Sequence, residues 1–355
     1  PESTTRSQFL SIKHRLTKMF KTATIACAVA VACASNVHPR EHYEKEFFEH
    51  IAKFNVEIKD GAEFLNRLNI FANNFDIIEK HNSDSTQTYK FGLNQFSHLT
   101  YDEWIDTVKV GGTRAPNLRR NPNGPLHTAP ADASANPASV NWVNAGAVTP
   151  VKNQGNCGSC WSFSTTGSLE GAYQIKYGSL VSFSEQELVS CDTKGGDSGC
   201  NGGWMDDAFT FVKNNGGLTT EDAYPYTSGT TGKSGSCVTT GYTNNANVAP
   251  KSYTDVQTGS VSALESAVAK QPVSIAIQAN QPAFQHYSSG VLTGNCGQNL
   301  DHGVLVAGYG TESGNDYWLV KNSWGPTWGE NGYIKILKSS ADLCGVLDAP
   351  SYPNL

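Results

Sequence analysis

The chain has 355 residues, of which 38% are hydrophobic and 16% are charged. That length is sufficient for more than one compact unit. The formal net charge of −6 argues against nucleic acid as the main partner, because such binding needs concentrated positive charge. No apolar run in the sequence reaches the roughly 20 residues of a membrane span. We therefore predict a soluble mature protein that binds neither nucleic acid nor a membrane.

The first part of the chain has the layout of a targeting segment. Met19 lies between Lys18 and Lys21, and residues 22–34 are small and apolar. Ala32 and Ala34 form a cleavage signal of the A-x-A type. We interpret residues 1–34 as upstream residues followed by a secretory signal peptide, which predicts the secretory pathway and then the lysosome, a vacuole or the extracellular space. The alternative is an alanine-rich tail with no targeting role.

Residues 41–82 show apolar side chains at three- and four-residue spacing, which predicts two amphipathic helices separated near Gly61. The repeating positions are Phe47, Phe48, Ile51, Phe54 and Ile58, then Phe64, Leu68, Phe71, Phe75 and Ile78. We expect residues 89–96 to be extended. Residues 110–137 are rich in Gly, Pro, Asn and Ala, which predicts a linker with a proteolytic site.

The rest of the chain places helices before strands. We predict helices over 160–177, from Ser184 onwards and over 205–212, where Ser184 and Glu187 form a capping box. Strands are predicted over 273–277, 304–309, 317–320 and 333–336. This order predicts an α+β fold with two lobes, and a cleft between lobes is a favoured place for a substrate.

Seven cysteines follow residue 135, so in an oxidising compartment one of them remains a free thiol. Cys160 is the candidate, because it follows a Gly-rich loop and begins a predicted helix whose N-terminus favours a thiolate. A thioredoxin-like pair of Cys157 with Cys160 is an alternative, but no βαβ pattern surrounds it. A zinc site is another, but Cys191 and Cys200 lack a second C-x-x-C pair.

A nucleophilic thiol needs a base, and His286 and His302 are the only histidines in this region. We interpret His286 as structural and His302, at the start of a predicted strand, as the base. Asn322 could orient its ring, with Trp324 as a shield. Gln154 could donate to an oxyanion together with the backbone N–H of Cys160, and Asn153 is a rival donor.

Three ordered blocks now resemble the papain and cathepsin family of cysteine proteases. They are Cys157-Gly-Ser-Cys160-Trp161, Asp301-His302-Gly303, and Asn322-Ser-Trp-Gly continuing to Tyr333. The resemblance implies a two-lobed papain-like fold, with a helical lobe and a β-barrel-like lobe. It implies that Cys160 is the nucleophile, His302 the general base and acid, Asn322 the orienting residue and Gln154 the oxyanion donor. It also implies disulfides that join Cys157 to Cys200, Cys191 to Cys237, and Cys296 to Cys344.

The upstream region resembles the inhibitory propeptide of the cathepsin L-like branch. The shared positions are Glu63, Arg67, Phe71, Asn74, Ile78 and Asn82, followed by Gly92, Asn94 and Phe96. The next family position is usually Asp but is His98 here, so we expect acid activation with an altered midpoint. The resemblance implies a propeptide over 35–135 and a peptidase domain over 136–355. An independent helical module that binds a partner is the alternative for residues 41–82.

The family's main specificity pocket takes the side chain two residues before the cut bond. Its counterparts here are small or apolar: Gly203, Trp204, Met205, Ala276, Leu300, Gly303 and Ala349. We expect a preference for Leu, Phe, Tyr or Val, because a buried Lys or Arg would be left unpaired. The resemblance implies a monomeric endopeptidase zymogen that acts on proteins and peptides, uses no cofactor or metal, and binds its own propeptide and cystatin-like inhibitors. A catalytically silent relative is the rival interpretation.

Overall fold

The computed structural model describes residues 37–110, 124–132 and 136–355. The predicted signal peptide and part of the predicted linker lie outside these ranges. No helix in the described ranges has the length and apolar character needed to cross a membrane. The chain divides into two compact units, one of residues up to Ser85 together with Phe91–Thr100, and one of Thr86–Lys90 together with Tyr101–Leu355.

The first unit contains two helices, α1 over Arg40–Phe54 and α2 over Gly61–Ser83. They pack through the apolar positions that the sequence pattern identified, including Phe47 and Phe71, both fully buried. The side chain of Asp60 caps α2 by accepting from the backbone N–H of Glu63. Helix α1 ends before Ile58, because Asn55 adopts the left-handed conformation at φ 51°. The expected continuation of the apolar helical stripe to Ile58 is therefore wrong.

The second unit contains seven further helices among its described residues. They are α3 over Tyr101–Val108, α4 over Cys160–Tyr177, α5 over Glu185–Cys191, α6 over Met205–Asn214, α7 over Ser228–Thr231, α8 over Val261–Val268 and α9 over Pro282–His286. Helix α4 ends at Gly178, whose φ of 76° suits a residue without a side chain. The side chain of Ser184 accepts from the backbone N–H of Glu187, so the predicted cap of α5 is confirmed.

Ten strands in the described ranges form one sheet. They are β1 over Tyr89–Phe91, β2 over Leu126–His127, β3 over Val140–Asn141, β4 over Ser252–Val256, β5 over Val273–Ile277, β6 over Tyr287–Leu292, β7 over His302–Glu312, β8 over Asn315–Lys321, β9 over Tyr333–Leu337 and β10 over Ser351–Asn354. From β6 the order is β6-β9-β8-β7-β5-β10-β4-β2, and β3 pairs with β7. Helix α4 packs on this sheet, with Gly167 directly against Leu305 of β7.

Three features differ from the sequence-based expectations. The extended segment predicted over 89–96 is a strand only to Phe91. Helix α3 was not predicted, although Tyr101, Trp104 and Val108 have helical spacing. Two residues of the predicted linker form β2, which pairs in parallel with β4. A strand of two residues is too short to produce an alternating pattern that sequence reasoning could detect.

Candidate active site

Cys160 lies at the first position of α4, is fully buried and is the one free cysteine in the described part of the chain. The remaining described cysteines form the disulfides Cys157–Cys200, Cys191–Cys237 and Cys296–Cys344. These are the pairs that the resemblance implied. The first of them ties the loop before α4 to the segment that precedes α6. The thiol is therefore carried by a rigid helix start and an anchored loop.

His302 begins β7, and Asn322 directly follows β8, the neighbouring strand. Nε2 of His302 lies 2.7 Å from Oδ1 of Asn322. A carbonyl oxygen can only accept, so Nε2 carries the proton and Nδ1 is left as the basic nitrogen. Nδ1 has no hydrogen-bond partner among the residues the structure describes. The ring of Trp324 stacks on the imidazole with centroids 5.0 Å apart, which shields the bond from water.

The sulfur of Cys160 accepts backbone N–H groups from Trp161 and from Gly303, the residue after His302. Burial raises the pKa of the thiol to about 11 and lowers the pKa of His302 to about 4. Burial therefore favours the neutral forms of the thiol and the imidazole in this covered form. The helix N-terminus and the two N–H groups favour the thiolate, but desolvation outweighs them.

Gln154 is fully buried and is held from several sides. Its Oε1 accepts from Oγ of Ser323 at 2.7 Å, and the backbone N–H of Ser323 donates to Oδ1 of Asn322 at 2.8 Å. Ser323 thus connects Asn322, the partner of His302, with the side-chain amide of Gln154. The sequence did not indicate this role of Ser323. Asn153, the rival donor, is exposed, and its Oδ1 accepts from the N–H of Gly155 in a local turn.

Helix α3 covers this constellation. Nε2 of Gln154 donates to the carbonyl oxygen of Val108 at 3.1 Å. Trp104 is fully buried and meets Trp324 edge-on with centroids 5.8 Å apart. The hydroxyl of Tyr101 donates to the carbonyl oxygen of Asn280 at 2.7 Å. The amide expected to bind an oxyanion is therefore occupied by a carbonyl of the chain itself.

The expected specificity-pocket residues lie together. Met205, Ala276 and Leu300 belong to one buried cluster with Trp204 and Ala349 at its margin. The other two pocket positions are glycines in close contacts. A Cβ on Gly303 would lie 3.3 Å from the sulfur of Met205, and one on Gly203 would lie 2.6 Å from the ring of Trp161. The structure therefore brings all seven positions to one apolar region next to α4.

Two buried carboxyl groups lie beneath this region. The side chains of Asp192 and Asp197 are within hydrogen-bond contact of each other, and Oδ1 of Asp197 accepts from the backbone N–H of Trp204 at 2.5 Å. Burial raises the pKa of both carboxyl groups, and the charge of Asp192 raises that of Asp197 further. These shifts favour a protonated carboxyl group in the pair. Sequence reasoning did not identify the pair, because nothing in the spacing of these residues shows that both are buried.

The shared motif positions also form contacts within the first unit. Nδ2 of Asn74 donates to the carbonyl oxygens of Ser97 and Leu99, both at 2.9 Å. Nε2 of His50 lies 3.1 Å from Nδ1 of His98. Asn82 bonds with both the N–H and the carbonyl of Phe91. These contacts fold residues 91–100 back onto α2.

Comparison with known families identifies the class of protein. Residues 136–354 match the papain family cysteine protease model, and residues 41–104 match the cathepsin propeptide inhibitor domain. The chain belongs to the papain family of cysteine proteases and is made as a zymogen with an inhibitory propeptide. The predicted α+β papain-like fold, preceded by a helical propeptide, is confirmed.

Several relatives and solved structures are similar over most of their length. Germination-specific cysteine protease 1 of Arabidopsis thaliana is 47% identical over 296 residues, which cover 81% of this chain and 77% of that protein. Cathepsin L of Sarcophaga peregrina is 42% identical over 347 residues, covering 94% of this chain and 100% of that protein. The recombinant stem bromelain precursor superposes with a TM-score of 0.79 at 39% identity, covering 88% of this chain and 99% of the other. Digestive procathepsin L 3 of Tenebrio molitor superposes with a TM-score of 0.75 at 36% identity, with the same coverage of each chain.

Proposed function

We propose that this protease is an endopeptidase whose nucleophile is Cys160 and whose general base and acid is His302. The proposal rests on the hydrogen bond from Nε2 of His302 to Asn322, which leaves Nδ1 available as a base. It also rests on the free thiol of Cys160, which accepts the backbone N–H of Gly303, the residue after His302. Asn322 fixes the tautomer, and Trp324 keeps water from that bond.

The reaction follows from these positions. Nδ1 of His302 takes the thiol proton, and the sulfur attacks the carbonyl carbon of the substrate, forming a C–S bond and a tetrahedral oxyanion. The imidazolium then gives its proton to the leaving amine as the C–N bond breaks, which leaves a thioester. A water molecule loses its proton to Nδ1 and attacks the thioester. The acid product leaves, and the thiol regains the proton.

Oxyanion stabilisation is proposed for Nε2 of Gln154 and the backbone N–H of Cys160. Ser323 orients the amide by donating to Oε1, so the NH₂ group faces away from it. In this covered form the NH₂ group bonds to the carbonyl oxygens of Val108 and Cys157, both at 3.1 Å. Once Val108 is removed, the same N–H can bind a substrate oxyanion without reorganisation.

The proposed substrate preference rests on the apolar region around Met205, Ala276 and Leu300. A Leu, Phe, Tyr or Val side chain two residues before the cut bond would be buried there at a gain of about 25 cal/mol per Å². A peptide library tests this preference, and selection of Arg at that position would refute it.

We propose that the inhibitory segment spans residues 35–135, after a targeting segment over 1–34, and that the peptidase domain spans 136–355. Cleavage between the inhibitory segment and the peptidase domain is proposed within residues 125–137. N-terminal sequencing of the acid-activated protein would locate the cleaved bond. Burial raises the pKa of the Cys160 thiol and lowers that of His302. We propose that uncovering the site brings water back and favours the thiolate–imidazolium pair. Secretion, a lysosomal, vacuolar or extracellular destination, a monomeric state and cystatin-like inhibitors belong to the same proposal.

Peptide hydrolysis by acid-activated protein tests the catalytic assignment. We expect Cys160→Ser to abolish turnover while circular dichroism remains that of the parent protein. His302→Ala should do the same, whereas substitution of His286 by Gln should retain activity if that variant folds. Full activity in Cys160→Ser would instead support a different nucleophile. No activity in the folded parent protein would support the silent relative.

A further inference from the structure

Strand β2 attaches a piece of the proposed inhibitory segment to the edge of the peptidase sheet. Leu126 is in register with Asp255, and His127 with Val256, in parallel orientation. The backbone N–H of Asp255 donates to the carbonyl oxygen of Pro125 at 3.1 Å, and that of Gln257 donates to the carbonyl oxygen of His127 at 2.9 Å. Residues 125–127 therefore satisfy two donors of an otherwise open sheet edge.

The side chain of His127 fills a pocket beside that edge. Only 9% of the residue is exposed, whereas Leu126 is 52% exposed. Nδ1 lies 2.9 Å from the hydroxyl of Tyr352 on β10, and Nε2 lies 3.1 Å from Oγ of Ser266 on α8. The Tyr352 ring also meets the imidazole edge-on. The pocket therefore recognises the imidazole of His127, and the mainly exposed side chain of Leu126 contributes little to docking.

We propose that the edge of β4 and the Tyr352–Ser266 pocket form a docking site, separate from the catalytic cleft, for residues 125–127 of this chain with a neutral imidazole. This inference rests on the proposed division into inhibitory segment and peptidase domain. The site holds the first three residues of the region in which cleavage is proposed. Within the second unit, the contact of His127 at this edge is therefore additional to the contacts of helix α3, among them that of Val108 with Gln154.

The charges around the pocket oppose protonation of His127. Lys270, just after α8, lowers the pKa of His127, and burial lowers it more. Two carboxylates lie on the helix and the strand beside the ring. Glu265 on α8 pairs with Lys338, and Asp255 on β4 is in register with Leu126. Tyr352 and Ser266 are uncharged partners. No carboxylate in the described surroundings offsets a positive charge on this ring.

Protonation of His127 weakens its docking. The undocked imidazole has a pKa of about 6.5, and the docked imidazole has a lower one. Docking is therefore at full strength above pH 6.5 and weakens as the pH falls below it, by up to about tenfold per pH unit until the docked pKa is reached. Acid thus frees the segment that has to be cut, while at neutral pH the segment stays attached.

Amide hydrogen exchange of the full-length Cys160→Ala zymogen, which cannot process itself, tests the docking site. At pH 7.5 we expect the amides of Asp255 and Gln257 to be protected. Their protection factors should fall by up to about tenfold per pH unit below pH 6.5. The amide of Val256, which donates to Pro350 on the other side of β4, is the internal control and should stay protected.

The same measurement on His127→Gln in that background separates the imidazole from the backbone. Gln is neutral at every pH and can still bond in the pocket, so the acid-dependent loss of protection should disappear. Leu126→Gln, at the exposed neighbour, should keep it. Unprotected amides at pH 7.5, or an identical acid response in His127→Gln, would overturn the proposal. Neither outcome bears on catalysis, because the peptide-hydrolysis assay tests that independently.

Discussion

Nε2 of His50 lies 3.1 Å from Nδ1 of His98, so two imidazoles share one hydrogen bond inside the first unit. That bond needs a neutral acceptor nitrogen. Burial, together with the charges of His98 and Lys53, lowers the pKa of His50 to about 3. Because the folded pKa is lowered, the contribution of His50 to stability is present at neutral pH and is lost as the pH falls below the ordinary range of histidine.

Replacing His98 by Asp should move self-processing to lower pH. A carboxylate at this position would pair with a protonated His50 and keep its charge down to about pH 4, whereas the pair of imidazoles loses stabilising free energy as the pH falls below about 6.5. We expect the midpoint of processing to fall by about one unit or more, measured by gel analysis after incubation across a pH series. His98→Gln, which cannot titrate, is the control. An unchanged midpoint in His98→Asp would count against this pair as an acid sensor.

Asp192→Asn should stabilise the protein near neutral pH. The pKa of each buried carboxyl group in the Asp192–Asp197 pair is raised, so the stability they contribute is present in acid and is lost as the pH rises above the ordinary range of Asp. An amide keeps the hydrogen bond without the second charge. We expect a gain of about 1–3 kcal/mol at pH 7.5 and little change at pH 4.5, from urea unfolding in the Cys160→Ala background.

The exposed Asp222 provides the matched control. Asp222→Asn removes one negative charge from the surface, whereas Asp192→Asn removes one from a buried site. The prediction would fail if both variants changed the stability of the protein equally, or if Asp192→Asn destabilised it at pH 7.5.

Gln154→Ala should lower kcat of the activated enzyme by about 10²–10³-fold with little change in KM, because the amide acts mainly on the oxyanion of the transition state. Asn153→Ala is the control, since that side chain is exposed and forms a local turn. Steady-state kinetics on a peptide substrate measures both. Equal losses in the two variants would show that the loop as a whole, and not the Gln154 amide, carries the effect.

Trp104→Ala should unmask the thiol without proteolysis. Trp104 is fully buried and meets Trp324, which in turn stacks on His302. Truncating a buried Trp costs about 3–5 kcal/mol, so α3 should detach and water should reach Cys160. We expect faster alkylation of the zymogen thiol by iodoacetamide at pH 7. Tyr101→Phe, which removes only one hydroxyl contact, should react nearly as slowly as the parent, and equal rates in all three proteins would contradict the covering role of Trp104.

The elements with long, regular patterns could be predicted from the sequence. Helix α4 begins at Cys160 and ends before Gly178. Its end could be predicted because a glycine after a helical stretch commonly terminates the helix. The three ordered motifs indicated the cysteine, histidine and asparagine of the site. What could not be predicted depends on burial and on short pairings. The pKa shifts of Cys160 and His302 follow from burial, and β2 is only two residues long.

The same limit applies to groups whose partners are distant in the sequence. The sequence around Asp192 and Asp197 is typical of a loop and does not show that both side chains are buried. Ser323 lies inside the asparagine motif, but its contact with Gln154 spans 169 residues. Helix α3 is the exception, because the spacing of Tyr101, Trp104 and Val108 was visible in the sequence and could have predicted it.

Reaction of the acid-activated protease with a thiolate-directed epoxide, followed by peptide mass spectrometry, tests the catalytic assignment most directly. We expect one adduct, on Cys160, with loss of peptide hydrolysis in proportion to labelling and no adduct in Cys160→Ala. An adduct that persists in Cys160→Ala, or full hydrolysis by protein whose Cys160 is completely labelled, would contradict the catalytic assignment.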